Sequence, residues 1–362
     1  MLETLTKLEE QALSEDDSRI VPPPDIIAYN ELRSCADLFR MHQQGILEIQ
    51  PEFQRDVVWK GPDQTRFVDS LIKQLPIPSM CFAMDYKAQK WIVIDGLQRI
   101  STIVRFLEGG DWRLSVLEDV EPEISGKLAA SIKSSDSGLH HYYTRVENLS
   151  IPVTVLRCDF AKATHMEYLF TIFHRLNTGG MKLNNQEIRN CIYGGTLNNL
   201  LKELDQVPAW RRLNKMRPEQ KYRFTKQEIA LRFFAFNDNR ARYEGHLAKF
   251  LNSYMHKHQR APGDFIEGKR QLFTDTVTYI DDLVFGGKAP PKLSITVLEA
   301  LLVGVGANMP AVQLDTPTEA MNKYDALTRH PLFAEAALRE GLSKKLRVIE
   351  RLDTAVEIFK RP

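Results

Sequence analysis

The sequence has few cysteines and no long apolar run, and both scarcities limit what the chain can be. Its four cysteines, at positions 35, 81, 158 and 191, are far apart and form no CxxC pair. This spacing argues against a zinc knuckle or a disulfide framework and fits a reducing cytoplasm. No apolar run approaches about 18 residues, the length that suggests a membrane span. Because the charged N-terminus is also unlike a signal peptide, we expect a cytoplasmic protein with no membrane partner.

Charge of one sign is also scarce, because 48 basic residues stand against 47 acidic ones. Such a balance provides no global field for nucleic acid or a membrane surface, so these partners would require a local patch. The hydrophobic fraction of 43% in 362 residues is ordinary for a globular protein. The length allows one large domain or two domains of common size.

Several familiar catalytic and nucleotide-binding motifs are absent. The sequence has no GxxxxGK[ST] P-loop, no GxSxG nucleophile elbow, no HExxH and no GxGxxG after a strand. It also has no evident HNH-type or PD-(D/E)xK-type nuclease signature. Any function must therefore be inferred from less common segments.

The apolar periodicity changes character after Lys182. Before this residue the pattern predicts short strands that alternate with amphipathic helices. The strands are expected at 46–49, 80–84, 91–94 and 151–157, and the helices at 31–42, 63–75, 97–108 and 162–175. After it, nearly every segment has helical periodicity. The pattern predicts an α+β fold, in which a small mixed sheet with helices is followed by an all-α C-terminal half.

We expect three parts along the chain. They are an arm over 1–30, a first domain over 31–195 and a helical domain over 196–362.

The most informative segment is 91–107, where an apolar strand runs into a helix through Asp95 and Gly96. A helix N-terminus has unpaired N–H groups and a partial positive charge, which attract anions. Gln98 and Arg99 add donors suited to phosphate, and Asp95 adds a carboxylate for a metal ion or a water molecule. The alternative needs no ligand, because Asp95 could be the N-cap and Gln98 its capping-box partner. The two interpretations are compatible, and the sequence leaves both open.

A second segment of similar chemistry covers residues 51–59. Gln54 and Arg55 follow a strand-like run, and Trp59 comes four residues after Arg55. Arg55 is suited to binding phosphate, and Trp59 to stacking on a base or packing a lid. The structural alternative is a surface arginine on a loop and a tryptophan that anchors the loop to the core.

A third segment covers residues 173–189. Asn177 begins an Asn-Thr-Gly-Gly turn that can expose several N–H groups to an anion. Asn184 and Glu187 have the spacing of a helix-starting capping box, which explains Glu187 without a ligand. That box does not explain Arg189.

Basic residues are concentrated between 211 and 226, where seven of them stand with a single acid. Aromatic residues, beginning with Trp210, are interleaved with them. This is the best local candidate for a nucleic-acid or polyphosphate face, and a solvated basic loop is the alternative. The predicted DNA-binding residues are Arg211, Arg212, Lys215 and Arg217.

The order of these segments is more specific than any one of them. A PxFQRxxVW element, a helix ending in PIP, a hairpin into DGxQR, and FxRLNTGG followed by QEIRN occur in this order. The chain thereby resembles the domain family whose hallmark is DGQQR. This is the N-terminal domain type of the GmrSD modification-dependent restriction enzymes, related to the ParB and sulfiredoxin fold. The resemblance covers about residues 30–260, and Leu97 stands where the DGQQR hallmark has its first glutamine.

The resemblance implies a ParB-like core that binds a nucleoside triphosphate with Mg²⁺, hydrolyses it, and has a place in phage defence. The implied nucleotide and phosphate site consists of Gln54, Arg55, Trp59, Gly96, Gln98, Arg99, Asn177 and Arg189. Asp95 and Arg99 are the expected catalytic residues, and Asp95 is the expected metal ligand. DNA and a separate nuclease or defence protein are the further expected partners.

Two alternatives to a nucleoside triphosphatase stay open. One is a DNA-binding module that uses the basic segment, with the ParB-like pocket regulatory or vestigial. The other is a nuclease component that lacks its own HNH domain, since no such motif follows residue 260. Whether the chain is an enzyme is therefore open at the level of the sequence.

Overall fold

The computed structural model describes most of the chain as two compact units. The described residues are 22–49, 59–176, 183–216, 225–291, 293–334, 337 and 344–361. The units are Ile20–Lys182 and Leu183–Pro362. The division of the chain at residue 195, into a nucleotide-binding domain and a helical domain, stays a prediction.

A five-stranded sheet forms the centre of the unit Ile20–Lys182, in the order β1-β5-β3-β4-β2. The strands are β1 (Ile27–Ser34), β2 (Leu47–Glu48), β3 (Met80–Asp85), β4 (Lys90–Asp95) and β5 (Ser150–Cys158). The pairs β1–β5 and β3–β4 are antiparallel, whereas β3–β5 and β2–β4 are parallel. The predicted small mixed sheet is therefore confirmed, together with the hairpin of β3 and β4.

Helices pack against this sheet within the same unit. They are α1 (Cys35–Gln43), α2 (Gly61–Ile72), α3 (Leu97–Glu108), α4 (Ala129–Lys133), α5 (His140–Asn148) and α6 (Ala163–Leu176). Their apolar faces and the strands bury one core that includes Phe82, Trp91, Ile103 and Phe106. Leu97 packs against this core while half-buried, which explains why an apolar residue is accommodated at the first position of α3.

The helix predicted at 31–42 is wrong in its first part. Strand β1 extends to Ser34, and the helix begins at Cys35. The Ser34 side chain is the N-cap and accepts the Asp37 N–H at 3.1 Å. Leu32, which periodicity placed on the apolar helix face, is 70% exposed. Pairing with β5 outweighs the local helical pattern here, as tertiary context commonly does.

Helices account for the regular structure among the described residues after Leu183. They are α7 (Asn185–Ile192), α8 (Thr196–Leu204), α9 (Pro208–Leu213), α10 (Thr225–Asn239), α11 (Leu247–His258), α12 (Gly263–Tyr279), α13 (Ile295–Ala307), α14 (Met309–Val312), α15 (Pro317–Arg329) and α16 (Lys345–Phe359). Short 3-10 turns occur at Arg240–Arg242 and Pro331–Phe333, and a π-helical turn at Ile280–Val284 continues α12. The all-α prediction for this half is confirmed over these residues.

Aromatic side chains fill the core of the helical unit. The rings of Phe233, Phe234 and Phe273 have centroids between 5.3 and 5.9 Å apart. Trp210 lies edge-on to Phe273 at 5.2 Å. Helix α13 is buried nearly all round, as its almost uninterrupted apolar sequence requires.

The capping box predicted at the start of α7 is confirmed. The Asn184 side chain accepts the Glu187 N–H at 2.9 Å, and the Glu187 carboxylate accepts the Asn184 N–H at 2.6 Å. Both bonds satisfy donors that a helix start otherwise leaves unpaired. Glu187 therefore has a structural role that the local sequence spacing was sufficient to predict.

The link between α7 and α8 is held against the end of α11 by hydrogen bonds to the backbone and side chain of Gln259. The Thr196 N–H donates to the Gln259 carbonyl at 2.9 Å. Gln259 Nε2 donates to the Gly194 carbonyl at 2.8 Å, across 65 residues of sequence. A Cβ at position 195 would lie 2.0 Å from the Gln259 carbonyl oxygen, so Gly195 is required by the packing of two backbones.

Candidate functional site

The turn between β4 and α3 places a carboxylate, a glycine and an arginine close together at the end of the sheet. The apolar part of β4 is buried, whereas the Asp95 side chain is 43% exposed. Gly96 has a φ of +93° and is the N-cap of α3. A Cβ at this position would lie 2.6 Å from Met80 Cγ. Backbone conformation and packing therefore both require glycine here.

The capping box that the sequence allowed for Asp95 and Gln98 is wrong. Because Gly96 adopts the left-handed conformation, the helix starts one residue later than that pattern requires, and Asp95 stays in the strand. Glycine has no side chain that can accept a hydrogen bond, and no other side chain caps α3 among the described residues. The helix start thus keeps unpaired N–H groups and its partial positive charge.

Arg99 is held against its own turn. Its Nη2 donates to Asp95 Oδ2, at the end of β4, at 2.7 Å. Its Nη1 donates to the Pro78 carbonyl and lies 3.5 Å from the Ser79 carbonyl. The side chain is only 14% exposed. In this conformation the guanidinium fastens the turn to the segment before β3, a role that sequence reasoning missed because its partner is a backbone carbonyl.

Two segments that are distant in sequence meet at Gln98. Its Oε1 accepts the Trp59 N–H at 3.4 Å, across 39 residues. The Trp59 ring packs edge-on against Phe67 with centroids 5.3 Å apart. Trp59 therefore packs against the core, as the structural alternative expected, and its N–H lies at the start of α3. Stacking of Trp59 on a base stays a prediction.

Three of the predicted phosphate-binding residues cannot be placed. Gln54, Arg55 and Asn177 lie outside the described residues. Their convergence with Arg99 on one cleft therefore stays a prediction. The contact between Trp59 and Gln98 concerns only the last residue of segment 51–59.

Arg189 lies in the helical unit and is buried, with 1% of its surface exposed. Its Nε donates to Asn252 Oδ1 and its Nη1 to Glu228 Oε2, both at 2.9 Å. Burial alone raises the pKa of Glu228, but the neighbouring Arg232 and Arg189 outweigh burial and lower that pKa. These contacts give Arg189 a structural role, and its assignment to a phosphate site stays a prediction.

The basic segment is described up to residue 216 and again from 225, so Arg217 lies outside the described residues. Trp210 is fully buried, which corrects the expectation that it belongs to an exposed aromatic set. Arg212 donates from Nε to the buried Asp281 at 2.9 Å and keeps 48% of its side chain exposed. DNA binding by Arg211, Arg212, Lys215 and Arg217 stays a prediction.

Metal ligands are sparse in the described part of the chain. It holds no group of three or more His, Cys, Asp or Glu side chains arranged around a metal position. Mg²⁺ commonly needs only one or two carboxylates when phosphate supplies the other ligands, so the half-exposed Asp95 fits that requirement. The assignment of Mg²⁺ to Asp95 stays a prediction. None of the described helices has the length and apolar character needed to cross a membrane.

The part of the chain that carries this turn is similar to a known domain family. Residues 35–194 match the family model of the GmrSD restriction endonuclease, N-terminal domain. This match confirms the resemblance drawn from the motif order. The matched residues include the Asp95 turn and the contact of Trp59 with Gln98. No curated protein and no solved structure matches the chain significantly.

Proposed function

We propose that the chain is a nucleotide-binding component of a restriction or phage-defence system that acts with a separate nuclease. A role in restriction or phage defence is supported by the match of residues 35–194 to the N-terminal domain of the GmrSD restriction endonuclease. We place the nucleoside triphosphate at the turn from Asp95 to Arg99, with a ParB-like role for the surrounding domain. The partner nuclease and the DNA target follow from the family relationship and not from a contact in this chain.

The uncapped start of α3 is the observation that carries the nucleotide proposal. A phosphate at a helix N-terminus accepts the free N–H groups and is attracted by the helix dipole. Gln98 supports the same position, because its Oε1 accepts the Trp59 N–H and its NH₂ group is left as a donor. Gly96 has no side chain that could cap these groups itself.

Arg99 and Asp95 would exchange partners when a triphosphate binds. Their ion pair joins the last residue of β4 to the first turn of α3, and partly exposed ion pairs typically contribute about 1 kcal/mol or less. A phosphate can compete for the guanidinium at that small free-energy difference, and Arg99 would then bind it through its forked donors. Asp95 would be released to hold Mg²⁺, which neutralises phosphate charge when bound.

Isothermal titration with each of the four nucleoside triphosphates and Mg²⁺ tests the proposal. We expect at least one of them to bind, and Gln98→Glu to weaken binding by at least about tenfold, or 1.4 kcal/mol. The added carboxylate repels phosphate. The fold tolerates it, because Glu can still accept the Trp59 N–H and an acid in the first helical turn is favourable.

The matched control is Gln313→Glu, which makes the same charge change at an exposed residue of the helical unit. It should bind like the wild type. Phosphate release measured in the same samples tests hydrolysis, which Asp95→Asn should abolish. Absence of binding by the wild type, or equal affinity of Gln98→Glu, would refute the nucleotide site.

A further inference from the structure

A cavity of about 220 Å³ lies in the helical unit, beside the Arg240–Arg242 turn and the exposed face of α11. We call it the α11 pocket. The residues on which its chemistry depends are Arg242, Glu244, Lys249, Phe250, Tyr254 and Lys257. It is outside residues 35–194, so the family match assigns nothing to it.

The charges that line the α11 pocket are mainly positive. Lys249 and Lys257 are eight residues apart on one helix, so they lie on the same face about 12 Å apart. Arg242 adds a guanidinium from the preceding turn, and Glu244 is the single acid among the lining residues. A chain with a formal net charge of +1 thus concentrates three cations at one cavity.

These three cations differ from their neighbours in having no acidic partner. Close by in the sequence, Arg240 pairs with Asp353 at 2.7 Å, and Lys269 pairs with Asp238 at 2.5 Å. Over the described ranges of the chain, no ion pair involves Arg242, Lys249 or Lys257. Like charges left together without a counter-ion repel one another, so an anionic ligand would stabilise the pocket.

The wall of the α11 pocket is aromatic and already fixed in place. Phe250 is half-buried and stacks on Phe236, with centroids 5.0 Å apart and planes at 30°. It also lies edge-on to Tyr243 at 5.4 Å. The buried Tyr254 donates its hydroxyl to Asp238 at 2.7 Å. A preformed wall of this kind lowers the entropy cost of binding a flat ring.

We propose that the α11 pocket binds a free mononucleotide. Its base packs against Phe250, and its phosphate is held by Arg242, Lys249 and Lys257. The volume is small compared with the range of about 300–1,000 Å³ for ligand pockets, which favours one nucleotide over a longer strand. This site is independent of the proposed triphosphate site, because the two lie in different units and share no residue.

Hydrogen exchange of the full chain, measured by mass spectrometry with and without AMP, GMP, CMP or UMP, tests the proposal. Magnesium is omitted, so that the conditions differ from those of the triphosphate titration. At least one nucleotide should protect peptides from 240–258. Inorganic phosphate at the same concentration should protect them less, because it lacks the ring.

The exposed positions of Lys249 and Lys257 permit a variant that keeps the fold. In Lys249→Gln with Lys257→Gln the mononucleotide affinity should fall by about tenfold or more. Lys288→Gln with Lys345→Gln, which changes two exposed lysines elsewhere, should leave it unchanged. The pocket variant should still bind triphosphate with Mg²⁺, so failure at one site is distinguishable from failure at the other.

Three outcomes would overturn the proposal. One is no protection of 240–258 by any of the four mononucleotides. Another is equal protection in the wild type and in Lys249→Gln with Lys257→Gln. The third is protection by a short single-stranded oligonucleotide without any by mononucleotides, which would assign the pocket to a nucleic-acid strand.

Discussion

At the scale of single residues, Gly96 is constrained by backbone conformation and by packing before any ligand is considered. Its φ is +93°, and an added Cβ would lie 2.6 Å from the buried Met80 side chain. We expect Gly96→Ala to lower the free energy of unfolding by about 1–3 kcal/mol. Urea denaturation measures the change.

Gly110→Ala is the matched control for that substitution. Gly110 is exposed at the other end of α3, and nothing lies within 4 Å of an added Cβ there. Its effect should stay within about 0.5 kcal/mol. If the two substitutions have equal effects, the packing explanation of Gly96 is wrong, and glycine at this turn would need another reason.

Residue-level sequence patterns predicted only part of the candidate site. The acid, glycine and arginine of the turn were recognisable, because each residue type has a distinct chemistry. The capping box was wrong because spacing alone cannot tell whether Asp95 or Gly96 is the N-cap, and Gly96 takes that position in the left-handed conformation. Arg99 was assigned to phosphate, whereas its observed partners include the Pro78 carbonyl, and backbone carbonyls are present at every position.

At the scale of elements, an ion pair links α9 to the π-helical turn after α12. Arg212 pairs with Asp281, whose side chain has no exposed surface. We expect Arg212→Ala to lower the free energy of unfolding by about 1–3 kcal/mol, because it leaves a buried carboxylate without this partner. Thermal or urea unfolding measures it, with the exposed Arg347→Ala as control, expected to change stability by less than about 0.5 kcal/mol.

This ion pair also bears on any test of DNA binding. Neutralising Arg212 removes a cation from the basic segment and a structural contact at the same time. A loss of DNA affinity in such a variant is therefore informative only when its stability has been measured. If Arg212→Ala is as stable as the wild type, the ion pair with Asp281 does not stabilise the fold.

Elements with local signals were predicted well, and elements formed by distant pairing were not. Helix α7 starts at a capping box, and α3 ends at a glycine, so both bounds could be read from neighbouring residues. Strand β1 owes its conformation to β5, which lies more than 100 residues away in the sequence. The residues around β1 carry no sign of this pairing, so the last four residues of β1 were predicted as helix.

At the scale of the whole molecule, all four cysteines are buried and none of them is in a disulfide. Burial raises the pKa of the Cys35, Cys81 and Cys158 thiols to about 12, and the Asp95 charge adds to the effect at Cys81. Only the thiolate is a good nucleophile, so these thiols should be inert in the folded chain. We expect iodoacetamide at pH 8 to modify the native chain slowly and to give four adducts after denaturation, as measured by intact mass.

Rapid modification of the native chain would show that the burial of these cysteines is not maintained in solution. Slow modification of the native chain is explained by burial of the thiols alone and requires no disulfide. The α+β class and the helical C-terminal half were predictable at this scale, since they depend on periodicity summed over many residues. The pairing of strands and the burial of single charged residues required the structure.

The contact at Gly195 has a consequence for mutational screens of this chain. Every substitution there directs a side chain into the Gln259 carbonyl, so a screen scored by biological activity will rank this position among the most sensitive. The same score is produced by loss of a catalytic group. A second score based on protein abundance separates the two causes, because a failure of backbone packing reduces the amount of folded protein whereas a failure of chemistry does not. Intolerance at position 195 should therefore be attributed to folding and not to a second active centre.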